Sequence, residues 1–369
     1  MADSRVEKMA RILVDYSTNV QPGEKVMVEA SMAAEPLVRC LYQRILERGA
    51  HPHLLISLPD QDEVMYRYAG PDQLDFTNEF DRLAAETFDA RIRVYSQVYT
   101  RALSHLDPAK AARRQKATAV VQNAIFRRAA EDQLRWVSTQ FATSGYAVEA
   151  EMGWNEYLDF MFRACHADDE TADPVAYWQS IRKQQETFIA KLQGHDKVTV
   201  KGPDVDLSLS IKDRVFLNSC GIHNLPDGEI YTGPVEDSIN GWVRFTYPAV
   251  YGGRVVEGVE LKFENGKAVS AHAKKDEEYL VKMLDSDAGA RFVGEFAIGT
   301  NHQIDRFTRN ILFDEKIGGT FHMAMGASYP ETGGRNKSVI HWDMICDLHH
   351  DAEIRADGEL VYRDGAFVA

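Results

Sequence analysis

The chain has 369 residues, more than a single hydrophobic core usually organises, so two domains are expected. Hydrophobic residues make up 44% and charged residues 27%, a balance that excludes a disordered chain. Lys and Arg total 42 against 56 Asp and Glu, and the resulting net charge of -14 would repel phosphate backbones and anionic lipid, so neither nucleic acid nor a membrane is an expected partner.

Val6, Met9, Ala10, Leu13 and Val14 recur at helical spacing over 5–17, and Pro22-Gly23 then turns the chain into a strand over 25–29. The opening segment carries acids and lacks the unbroken apolar stretch of a signal peptide, and no later run approaches the ~18 apolar residues of a membrane span. A cytoplasmic protein is expected. Helical spacing returns over 35–48 and stops at Gly49, after which 53–57 reads as a second buried strand and completes a βαβ unit. Further strands are predicted over 91–95 and 117–121, with helices over 72–86 and 122–136, so the first half predicts an α/β domain with a largely parallel sheet. No GxGxxG or P-loop glycine pattern opens a helix there, so no dinucleotide or nucleoside phosphate is expected. The basic run from Lys110 through Arg113 and Arg114 to Lys116 has the spacing of a solvated helix face.

Residues 154–192 read as mainly helical, and the domain junction is placed near Gly194, giving an α/β scaffold domain over 1–193 and an α+β domain over 194–369. In the second domain, strands are predicted over 197–201, 206–211, 254–263 and 268–274, divided by turns such as Glu264-Asn265-Gly266. Cys40, Cys165, Cys220 and Cys346 are scattered with no CxxC, which indicates neither a zinc knuckle nor a disulfide framework.

Residue types suited to hard metal ions gather on Gly-rich segments between Asn224 and Asp343. A Pro-Asp-Gly turn delivers Glu229 to the start of a strand, either as a ligand or as an ordinary exposed strand-end acid. Glu295 lies in an apolar stretch and, if buried, needs a cation beside it, whether a metal or an Arg or Lys. His322 follows a double glycine amid small and apolar residues, a position open to a satisfied core histidine as well as to a ligand. His341 and Asp343 stand two apart in an apolar run, so a strand puts both on one face, as a ligand pair or as a hydrogen-bonded pair. Several buried carboxylates repel one another unless a polyvalent cation neutralises them, so the four segments together favour a metal site. Imidazole and carboxylate without thiolate suit Zn, Mn, Co or Mg in a hydrolytic site better than a structural zinc.

The segments NLPDGEIYTGP, Gly253-Arg-Val-Val-Glu-Gly258, GEFAIGTN, LFDEKIGGTFHMAMG, the 329–336 loop and IHWD, in that order, resemble the M29 family of thermophilic-type aminopeptidases. The resemblance is densest over 224–347 and weaker over most of the chain. It implies an N-terminal α/β domain, a C-terminal metal domain and a homodimer enclosing the active sites. It also implies two co-catalytic divalent metal ions, with Glu229, Glu295, Glu315, His322, His341 and Asp343 at the ligand positions and Tyr329 at that of the active-site tyrosine. The linker KIGGTF between Glu315 and His322 is longer than in the family's best-known members.

The activity this implies is removal of the first residue from a peptide with a free N-terminus, by a metal-activated water, with Glu295 or Glu315 relaying a proton and Tyr329 stabilising the oxyanion. Two other readings use the same residues. His322, His341 and Asp343 alone would form the triad of an Fe(II) ring-cleaving dioxygenase, which has no need of three further acids. A metal that merely staples loops in a non-catalytic binding protein would give no turnover.

Overall fold

A computed structural model describes residues 3–368 of the chain. Two compact units are present: the residues through Tyr177 together with Gly221–Pro226, and Trp178–Cys220 together with the chain from Asp227 onward.

In the first unit, helix Ser4–Arg11 starts where the Asp3 side chain accepts from the Arg5 N–H, and it continues as a π-helical turn over Ile12–Ser17. Strand Lys25–Ser31 pairs with His51–Ser57 on one side and Ala90–Tyr95 on the other, and Arg135–Gln140 and Asn224–Leu225 extend the same sheet. Every pairing in it is parallel, as the βαβ pattern predicts. Helix Glu35–Glu47 makes the first crossover, and its Leu37, Leu41 and Ile45 are buried along with Val26 and Val28 of the first strand.

Three local expectations fail in this unit. Residues 117–121 form no strand, because they lie inside helix Pro108–Ala130. Asp107 caps that helix by accepting from the Ala109 N–H at 2.9 Å, and Pro108 pre-sets the first turn. Good helix formers then carry it through the short β-branched patch, since extending a helix costs far less than nucleating another element. Residues 122–136 are consequently helical only to Ala130, and the strand comes later, at Arg135–Gln140. The helix expected over 72–86 is two helices, Pro71–Asp75 and Glu79–Thr87, because Asn78 starts the second by accepting from the Phe80 N–H.

The second unit holds a two-stranded antiparallel ribbon, Ala249–Tyr251 with Arg254–Val256, and two large antiparallel sheets. One has eight strands, in the order Lys267–His272, Glu260–Glu264, Asn240–Arg244, Val205–Ser210, Lys197–Gly202, Glu353–Ala356, Glu359–Arg363, Ala366–Phe367. The single strand expected over 254–263 is interrupted by Gly258 at φ +67°, leaving Arg254–Val256 and Glu260–Glu264. Asn265 and Gly266, both at positive φ, close the hairpin expected there. The other sheet has five strands, ordered His341–Asp347, Thr320–Gly326, Val293–Gly299, Glu229–Thr232, Leu217–Ser219.

Val198, Val200, Leu207, Val243, Leu261 and Phe263 of the first sheet share one buried core with Phe296, Ile298, Phe321, Met323 and Met344 of the second. Each large side chain buried there stabilises the unit by roughly 1.5–3 kcal/mol. Side chains alternate along a strand, so committing these residues to the core turns their neighbours to the opposite face of the five-stranded sheet. That face carries the chemistry. Among the described residues no helix is long and apolar enough to cross a membrane.

Candidate metal centre

Strand register decides which side chains meet. Ala297 lies between His322 and Tyr231, Gly299 opposite Glu229, Ala324 between Glu295 and Asp343, and Gly326 opposite His341. Each of the five strand-borne ligand-type side chains therefore has an Ala or Gly opposite it on an adjacent strand, which leaves room above the sheet. Gly299 serves a second purpose: a Cβ there would stand 2.1 Å from the Ile317 carbonyl oxygen. This close approach seats the loop that carries Glu315, which is tied down by Asn301 N–H to Lys316 O at 3.1 Å and Gly318 N–H to Asn301 O at 3.0 Å. Asn301 also donates through Nδ2 to the Asp227 carbonyl at 2.8 Å, fixing the turn from which Glu229 opens its strand.

The structure brings all six sequence-derived ligand candidates together. Glu295 Oε2 is 3.2 Å from His341 Nε2, and Glu295 Oε1 is 3.6 Å from His322 Nε2. Glu229 Oε2 is 3.5 Å from His322 Nε2, and Asp343 Oδ1 is 3.5 Å from His341 Nε2 and 4.0 Å from His322 Nε2. Three overlapping sets each present ligand atoms within 4.8 Å of one another: Glu229, Glu295 and His322; Glu295, His341 and Asp343; Glu315, His322 and Asp343. Glu229, Glu295 and His322 are buried, and the other three are half-buried. Tyr329 precedes the short helical turn Pro330–Thr332 and sets its ring edge-on to His341, 5.1 Å between centroids. It is 41% exposed, which places it at the mouth of the cluster.

These side chains fit divalent ions. Donor separations of 3.2–3.6 Å lie at or beyond the long end of hydrogen bonding and near the ~3.4 Å edge of a tetrahedron built on bonds of about 2.1 Å. Glu229 Oε2 and Asp343 Oδ1 are buried with no hydrogen-bond partner. His341 Nδ1 donates to the Ala327 carbonyl at 2.8 Å, so Nε2 is the nitrogen turned to the acids, the arrangement in which a second contact orients a metal-binding imidazole.

Without an ion the charges are in tension. Burial pulls His322 and His341 down, but the facing acids outweigh it and raise them to about 9 and about 12. Burial raises Asp343 and Glu295 too, yet the imidazoles hold both below the usual carboxylate range, Asp343 at about 2. Glu229 and Glu315 are pushed up by burial, and the single ammonium of Lys316 between them does not cancel this. Burial and the neighbouring carboxylates together push the Tyr329 and Tyr231 phenols up.

Sequence reading missed Lys316 and Tyr231. Lys316 is wholly buried, with its ammonium bonded to Glu315 and 3.6 Å from Glu229. The available signal was a lysine directly after a carboxylate in an apolar, Gly-rich segment. Tyr231 stands two residues past Glu229 on the same strand face, its ring 5.6 Å from that of Tyr329, and period-two alternation alone would have placed it.

Residues 2–367 match the M29 family, described as thermophilic metalloproteases. The chain belongs to that family. Membership makes this M29 protein a hydrolase, and a divalent metal cofactor goes with it. It is 27% identical to aminopeptidase T of Thermus thermophilus, over 98% of this chain and 95% of that one, and 25% identical to aminopeptidase AmpS of Bacillus subtilis, over 98% of each. The solved structure of wild-type AmpT from Thermus thermophilus superposes with a TM-score of 0.86 at 27% identity and covers 99% of both chains. A 2,5-dihydroxypyridine dioxygenase from Pseudomonas putida KT2440 superposes at 0.62 with 14% identity, covering 99% of this chain and 97% of that one, and shares the fold alone.

Proposed function

We propose that this M29 protein is a metal-dependent aminopeptidase whose second unit holds two divalent ions among Glu229, Glu295, Glu315, His322, His341 and Asp343. The observation that carries the reading is the overlap of the three ligand sets through Glu295, His322 and Asp343, which gives two neighbouring cation positions a shared wall. When bound, such ions lower the pKa of a water and polarise the scissile carbonyl. Zn, Co, Mn and Mg all suit this donor set.

The chain's own groups do the rest. The acid cluster attracts the substrate's free ammonium, which limits reach to the first peptide bond. Glu315, whose carboxyl burial pushes up, takes the proton given up in the attack, with Glu295 held between two imidazoles as the alternative. Tyr329, at the mouth, donates its phenol to the developing oxyanion. The second unit is then the catalytic domain and the first a scaffold, in a homodimer working in the cytoplasm.

Three acids beside the two imidazoles and Asp343 argue against a mononuclear iron triad, which leaves Glu229, Glu295 and Glu315 without a task. Hydrolysis of an aminoacyl p-nitroanilide should vanish on chelation and return with Co or Zn. Oxygen uptake with one iron per chain would instead support the dioxygenase, and tight metal binding without any turnover the non-catalytic staple.

A further inference from the structure

Lys316 follows Glu315 in the chain, yet its side chain is entirely buried. Its ion pairs within 4.0 Å are with Glu315 and Glu229. Burying an ammonium is costly unless anions pair it, and here two acids share the task. The contact is one-sided: Lys316 approaches Oε1 of Glu229 at 3.6 Å, whereas Oε2 is the unpartnered oxygen 3.5 Å from His322. One oxygen is thus engaged by the ammonium while the other faces the imidazole. The Glu295–His341–Asp343 set contains neither of the two acids that Lys316 pairs, although its Asp343 also belongs to the set with Glu315 and His322.

A fixed positive charge so placed acts twice. It offsets the mutual repulsion of Glu229 and Glu315 when no ion is present, and it repels a divalent ion arriving beside them. We propose that Lys316 is a built-in counter-ion for Glu229 and Glu315, standing in for an absent divalent ion and weakening the hold on an ion bound by those two acids relative to one bound by Glu295 and His341. The proposal rests on the two-ion reading above. Its consequence is stepwise loading: one ion is held firmly, and the other exchanges.

The test is a Co(II) titration of the metal-free full-length protein, followed by visible absorbance and chelator competition, together with the melting of the metal-free and Co-loaded forms. The wild type should bind two ions with affinities at least tenfold apart. Lys316→Met should tighten the weaker step at least tenfold, change the tighter step less than threefold, and lower the melting temperature of the metal-free form more than that of the loaded one. Two equal steps in the wild type, or a weaker step that Lys316→Met leaves unchanged or loosens further, would overturn the counter-ion role while leaving the metal reading standing. If Lys316→Met fails to fold, Lys316→Gln, which removes the charge but keeps a polar side chain, carries the same comparison with the same expected and overturning results. A wild-type protein that takes up no Co(II) would sink the metal reading and this inference with it.

Discussion

His341 donates through Nδ1 to the carbonyl oxygen of Ala327 at 2.8 Å, and its other nitrogen, Nε2, stands 3.2 Å from Glu295 and 3.5 Å from Asp343. One backbone contact thereby aims the imidazole. Replacing it in His341→Ala removes a donor common to the Glu295 and Asp343 side of the cluster, and activity should fall at least ~100-fold. Second-contact losses alone cost about 10–100-fold in comparable sites. His341 is only half-buried, so the fold should survive, as far-UV circular dichroism would show. Turnover within a few-fold of wild type would remove His341 from the site.

Protonation gives the metal-free protein a recognisable pH signature. His322 and His341 are raised to about 9 and about 12, above the ~6.5 of an unfolded histidine. Groups raised in the folded state contribute stability that is complete below about pH 6.5 and is lost as pH climbs through the folded values. The metal-free melting temperature should therefore fall from about pH 6.5 toward 9. With saturating divalent ion, which takes the neutral imidazole, the fall should be much smaller. On the acid side, Asp343 at about 2 contributes stability present above about 3.9 and lost as pH drops toward 2. A metal-free form that gained stability from pH 7 to 9 would contradict the charge arrangement.

Gly299 can be tested by a single methyl group. In Gly299→Ala the new Cβ meets the Ile317 carbonyl oxygen at 2.1 Å, so the loop bearing Glu315 must move. Overpacking of this kind costs typically about 1–3 kcal/mol, and here it should also lower activity by displacing Glu315. Denaturant unfolding reads the first effect and turnover the second. Unchanged stability would mean that the loop is seated by something other than this contact.

Tyr329 sets its ring edge-on to His341 at the mouth of the cluster. Tyr329→Phe keeps the ring and removes the hydroxyl, so kcat should drop roughly 10–1000-fold, the range for losing one oxyanion donor, with metal content unchanged. Loss of bound metal in Tyr329→Phe would point to a structural role instead.

Much of this architecture was legible in the sequence because it follows from period and punctuation. The βαβ start, the Asn265-Gly266 hairpin and the shared face of His341 and Asp343 needed only alternation and turn residues. The strand misplaced at 117–121 shows the limit, since a local β-branched patch could not reveal that Asp107 and Pro108 had already launched a long helix across it. Convergence of Glu229 with His322 depends on register between strands far apart in the chain, which no single segment encodes. Lys316 escaped notice because a lysine ordinarily reads as solvated, and only the close seating of the 315–319 loop on Gly299 carries it inside.

The central claim is that these six side chains hold divalent ions in order to release the first residue of a peptide. It is tested most directly by mass-spectrometric analysis of a short peptide offered with a free or an acetylated N-terminus, before and after chelation. The free peptide should lose its first residue only with metal present, and the acetylated one should stay intact. Release that persists without metal, or that proceeds equally from the acetylated peptide, would contradict it.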